Sequence, residues 1–108
     1  MSDAIVVFMT AGNADEARRI AGHLVDARLA ACVQILPEIE SVYRWMGEVQ
    51  REKEVLILVK TTAEKFAALE KSVRAIHSYE TPEIVAVPAS QISAPYRMWL
   101  IENVAANG

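Results

Sequence analysis

His77 is the residue in this chain best suited to metal chemistry, and it opens the run His77-Ser78-Tyr79-Glu80-Thr81-Pro82-Glu83. An imidazole joined by Glu80 or Glu83, from the same or an adjacent loop, makes a nitrogen–oxygen set that suits zinc or Cu(II). A histidine just after a helix has a simpler role too, capping helix carbonyls where the dipole favours it. Cys32 is the only cysteine, so no intrachain disulfide framework exists. It can act as a thiolate ligand or redox sensor, but no sequence neighbour activates it, and a small core residue is the plainer role. One cysteine and two histidines lack the spacing of a four-ligand zinc site. His23 falls on the flank of a helix and reads as a surface imidazole. The chain has no Gly-rich phosphate loop, Ser-His-Asp set or paired-carboxylate motif, so no catalysis is expected.

The elements that must position these residues follow from pattern. Residues 4–10 (AIVVFMT) form a continuous apolar run, read as a strand buried on both faces. Asn13 caps a helix, with Glu16 three residues on in a capping-box arrangement. That helix should run to about Ala27, with Ala17, Ile20, Ala21, Leu24 and Arg28 on one stripe. Residues 29–62 then read as one long hairpin turning at Trp45-Met46-Gly47-Glu48. An arm of that size reaches on the order of 50 Å, against a radius of gyration of roughly 13 Å for a compact chain of this length. The hairpin must bend sharply or project onto something else, most often another copy. On its first arm Val33, Ile35, Ile39, Tyr43 and Trp45 share a parity and should face one way, with Gln34, Glu38, Glu40 and Arg44 opposite. Pro37 should mark an edge, a bulge or a bend.

Thr61 or Thr62 caps a second helix that carries Phe66, Leu69, Val73 and Ile76 at helical spacing. Residues 84–87 form a fourth strand closed by Pro88, and residues 95–104 a last helix. The order is β-α-β-β-α-β plus a C-terminal helix, an α+β, ferredoxin-like sandwich. Three strands are apolar on both faces, yet helices from right-handed crossovers cover only one. The second face is expected to be buried in a homo-oligomer.

Composition sets limits on function. The 108 residues predict a single domain spanning 1–108, and 53% hydrophobic content excludes disorder. A net charge of −3 with scattered Lys and Arg argues against a nucleic-acid partner. Met1-Ser2-Asp3 lacks a basic leader, and the first apolar run is too short for a signal or membrane span. A cytoplasmic protein without a membrane partner is expected.

Several separated motifs occur in one order: Leu29-Ala30-Ala31-Cys32-Val33, Tyr43-Arg44-Trp45-Met46-Gly47, Glu54-Val55-Leu56 with Lys60-Thr61-Thr62, His77 to Ile84, and the Tyr96–Trp99 pair. Together they resemble the CutA1 divalent-cation tolerance proteins. The resemblance implies a ferredoxin-like protomer in a tight homotrimer, its long hairpins closing intersubunit sheets. It also implies tolerance to copper and other divalent cations, and a likeness to PII signalling trimers, which bind small ligands between subunits. It brings no established reaction and no organic cofactor; copper or another divalent cation is the one cofactor implied. Ser78 replaces the proline of the common His-Pro-Tyr form. Met9 and Ile76 occupy positions where some relatives proposed to bind copper carry cysteine and histidine. The metal candidates are therefore His77, Glu80 and Met9, whose thioether suits Cu(I). The candidate intersubunit cleft comprises Trp45, Tyr43, Glu54, Lys60 and Tyr79, with aromatic packing and register-fixing ion pairs as their alternative roles. Three functions follow: a trimer binding cations weakly near His77, a PII-like sensor, or a purely structural trimer.

Overall fold

The computed structural model describes residues 3–105; Met1 and Ser2, where no leader is expected, lie outside the described residues. The chain order is β1 (Ala4–Ala11), α1 (Ala14–Asp26), β2 (Cys32–Trp45), β3 (Glu48–Thr62), a 3-10 turn (Ala63–Lys65), α2 (Phe66–Ile76), β4 (Ile84–Pro88) and α3 (Ala94–Val104). The four strands form one sheet in the order β2-β3-β1-β4, every neighbouring pair antiparallel. This is the expected ferredoxin-like arrangement of an α+β protomer.

The core follows from strand alternation. Ile5, Val7, Met9 and Ala11 of β1, with Val55, Ile57 and Val59 of β3, point to one face. There they pack against Ala17, Ile20 and Leu24 of α1 and Leu69 and Val73 of α2. Each large side chain so buried contributes about 1.5–3 kcal/mol relative to exposure. The intervening positions carry Val6 and Phe8 on β1 and Leu56 and Leu58 on β3, all half-buried. Val85 and Val87, their edge neighbours on β4, remain exposed. Helix α3 covers only one end of this second face, where Leu100 and Val104 meet Ala4 and Ala31.

The helix ends show local chemistry at work. Asn13 accepts the backbone N–H of Glu16 at 2.8 Å, the expected N-cap. Helix α1 stops at Asp26, and the Leu29 N–H returns to the Leu24 carbonyl at 2.9 Å. Arg28 is therefore not on the helix stripe: it sits past the end at φ 58, the left-handed position that closes helices. Thr62 precedes the 3-10 turn but makes no side-chain cap, and the Thr61 hydroxyl donates to the Leu29 carbonyl at 2.8 Å. The Thr62 hydroxyl is buried and makes no cap.

The hairpin turns through Met46 and Gly47, with φ of 51 and 83. Two successive positive values match the strand twist of a two-residue turn. From Trp45↔Glu48 the register runs to Ile39↔Glu54, then resumes at Leu36↔Leu56. Pro37 and Glu38 thus oppose Val55 alone, a bulge at the residue that has no N–H to donate. The extra residue corrects the expected facing. Ile35 pairs with Ile57 on the helix side, whereas Ile39, Tyr43 and Trp45 pair with Glu54, Gln50 and Glu48 on the other. Shared parity does not survive a bulge. The described part of the chain measures 44 × 26 × 22 Å, elongated as a projecting hairpin requires. None of the described helices is long and apolar enough to cross a membrane.

Candidate functional site

The loop after α2 brings the buried His77 against the buried Glu16 of α1. His77 leaves the helix in extended backbone conformation, and its side chain is fully buried. Its Nε2 lies 2.8 Å from the Thr10 carbonyl of β1, and its Nδ1 lies 3.0 Å from the Tyr79 backbone nitrogen. A carbonyl can only accept and an N–H can only donate, so the ring is held with its proton on Nε2. His77 therefore ends its helix through its backbone, whose N–H donates to the Val73 carbonyl at 2.8 Å, while its ring caps a strand carbonyl.

Glu16, 3% exposed, is the second centre. Its Oε2 accepts the Ser78 N–H at 2.7 Å and its Oε1 the Ser78 hydroxyl at 3.0 Å. The Gly12 N–H adds a longer contact at 3.4 Å, and His77 Nδ1 stands 3.6 Å away. Burial alone pushes this carboxyl up, but hydrogen bonds from Ser78 and then Gly12 outweigh it and hold it below the ordinary carboxylate range. Serine supplies both close donors; a proline at position 78 has neither.

Tyr79 links this centre to the hairpin. Its ring rests against His77 with centroids 4.7 Å apart, and its hydroxyl donates to Oε2 of Glu54 at 2.8 Å. Burial first, then the Glu54 carboxylate, drive the phenol strongly up, so it stays a donor. Burial and the same carboxylate raise Glu83.

The candidate ligands do not assemble into a metal centre. Met9 is fully buried in the helix-side core, both His77 nitrogens are engaged, and Glu80 is exposed beside α2. No three His, Cys, Asp or Glu side chains among the described residues are grouped to hold a metal. The side chains present do not fit a resident copper ion within one protomer.

The cleft candidates divide into four places. Tyr79 and Glu54 meet at the hairpin base, and Tyr43, nearer the tip, bonds Glu52. Trp45, at the tip, is 54% exposed. Lys60 contacts Gln34 and stands opposite Cys32, six positions along β3 from Glu54, about 20 Å at strand rise. Cys32 is half-buried; burial first, then the Cys32 thiol, pushes the Tyr96 phenol up. Within one chain Tyr43, Trp45, Glu54 and Lys60 share the non-helix side of the sheet, and of the cleft candidates Tyr79 and Glu54 alone meet. Sequence reasoning found the Asn13–Glu16 cap but missed the destination of the Glu16 carboxylate; Ser78 was visible only as a departure from a pattern.

The chain matches the CutA1 divalent ion tolerance protein family over residues 5–103. It is 49% identical over 98 residues to the divalent-cation tolerance protein CutA of Thermus thermophilus, covering 91% of this chain and 95% of that one. The chloroplastic CutA 1 of Oryza sativa is 42% identical over 97 residues, which span 90% of this chain but 55% of that longer protein. The crystal structure of CutA from Xylella fastidiosa superposes with a TM-score of 0.93 at 36% identity, covering 96% of this chain and all of that one. The solved Thermus thermophilus protein gives 0.91 at 48% identity, covering 93% and 97% of the two chains. Family match, fold and sequence order agree: this chain belongs to the CutA1 divalent ion tolerance family.

Proposed function

We propose that the chain serves divalent-cation tolerance as a cytoplasmic, non-enzymatic homotrimer. The carrying observation is the second sheet face, where Val6, Phe8, Leu56 and Leu58 are half-covered and Val85 and Val87 are 53% and 42% exposed. A continuous apolar face of this kind favours burial against further copies. Trp45, Met46 and Val49 on the projecting hairpin extend the same argument to the tip. Copper or another divalent cation binds weakly in this reading, because His77 must release Thr10 or Tyr79 before its ring can ligate. Glu80 is the candidate ligand open to solvent.

A PII-like reading is favoured by one further observation. Tyr43, Glu52, Glu54 and Tyr79 pair phenols with carboxylates along the hairpin, while Trp45 stays exposed for stacking. In a trimer these groups, with Lys60 of a neighbouring copy, line clefts that accept a small ligand.

Native mass spectrometry on freshly purified, tag-free protein tests both. A trimer with metal-sized adducts that a chelator removes supports direct, weak cation binding. A trimer carrying an organic adduct favours the cleft reading, and a clean trimer leaves a structural role. A monomer mass at low micromolar concentration overturns the assembly.

A further inference from the structure

We propose that residues 77–79 form a strap, clasped at Ser78 by Glu16 and at Tyr79 by Glu54, which couples the start of α1 to the base of the hairpin. The clasps grip successive residues from different elements: Glu16 belongs to α1 and Glu54 to β3. Adjacent Cα atoms are only about 3.8 Å apart, so a shift at Ser78 is carried directly to Tyr79. The coupling is stiffened between them. The Tyr79 N–H bonds His77 Nδ1, the Tyr79 ring lies on the His77 ring, and His77 Nε2 is tied to Thr10 of β1. The Tyr79 ring also packs onto the turn before α1, since a Cβ at Gly12 would stand 3.4 Å from its hydroxyl oxygen.

The other end of the tie is equally defined. Glu54 is the first paired residue of β3 on the tip side of the bulge, opposite Ile39. Bulges interrupt the ladder, so the hairpin is least supported by its own backbone at this point. Tyr79 supplies an external anchor there. Loosening the Glu16 clasp should therefore loosen the hairpin base, and by reciprocity loosening Glu54 should free the start of α1. The strap is complete within one protomer, so the inference stands independently of the cation and assembly readings above.

Hydrogen exchange read by mass spectrometry on the full chain tests the coupling. In Glu16→Gln, amides over residues 50–56 and 38–42 should exchange about fivefold faster or more, while α3 keeps its parental rate. Tyr79→Phe, which keeps the ring and removes the hydroxyl, should accelerate residues 12–16 and 76–80. Ser78→Ala removes one of the two close donors and gives a milder version should Glu16→Gln fold poorly. In Glu16→Gln/Tyr79→Phe the acceleration at the hairpin base should match the faster single variant rather than the product of the two. Acceleration confined to the neighbourhood of each substitution, or multiplying in the double variant, overturns the strap.

Discussion

The backbone N–H of Ser78 donates to the buried carboxylate of Glu16 at 2.7 Å, joining residues 62 positions apart. The bond is stronger to an ionised carboxylate than to a protonated carboxyl, which makes stability depend on pH. The folded carboxyl is held below its ordinary value, so the unfolded chain binds the proton more readily. The stabilisation is fully present above the ordinary glutamate range, near 4.3, and is lost as pH falls through the lower folded value. Glu16→Gln should cost about 1–2 kcal/mol at pH 7. Its thermal midpoint should also decline less steeply than the parent's below pH 5. Parallel curves for parent and variant would count against this role.

Thr62 presents the opposite case. It is 1% exposed, and its hydroxyl finds no hydrogen-bond partner among the described residues. Thr62→Val keeps the shape and removes the stranded oxygen, so stability should rise by about 1 kcal/mol. Chemical denaturation with an unchanged slope and a higher midpoint would show it. A lower midpoint would mean that the hydroxyl has a partner the fold depends on.

Among the described residues, two side chains occupy left-handed backbone, Arg28 at φ 58 and Met46 at φ 51. Arg28→Gly should gain about 1 kcal/mol by relieving that conformation. The loss is small, because the guanidinium contact to the Asn103 carbonyl is exposed and 3.3 Å long. Met46→Asn creates the favoured Asn-Gly turn and should stabilise the hairpin by about 0.5–1 kcal/mol. Met46 is 88% exposed, so the protomer gives up little packing. A fall in urea midpoint for Met46→Asn would point to contacts made by the methionine beyond its own protomer.

The proposed assembly has its own mutational signature. Val85 sits beside Phe8 on the apolar face and is 53% exposed in the protomer. Val85→Glu should lower the native mass from trimer to monomer while far-ultraviolet circular dichroism keeps its shape. Trp45→Ala at the hairpin tip should lower the melting temperature and loosen the assembly. An unchanged trimer mass at low micromolar concentration in both variants would remove these surfaces from the interface.

Sequence by itself determined the order of elements, because strand and helix periodicity, the Asn13 cap and the Gly47 turn are set by neighbouring residues. It also determined the centre of the stripes by which α1 and α2 meet the sheet, since Ala17, Ile20, Leu24, Leu69 and Val73 recur at helical spacing and are buried, whereas Ile76 at the end of the α2 stripe is exposed. Pro37 marked where the hairpin ladder would break, for want of an N–H. Only the tertiary structure decided what that break does: one extra residue sends Ile39, Tyr43 and Trp45 to the side opposite Ile35, and strand alternation cannot foresee it. The same holds for His77 and Glu16. Their partners Thr10 and Ser78 are 67 and 62 residues away, brought near by the packing of α1 and the loop after α2 on the end of β1. Hydrogen bonds of 2.7–2.8 Å demand that geometry, and no local pattern encodes it.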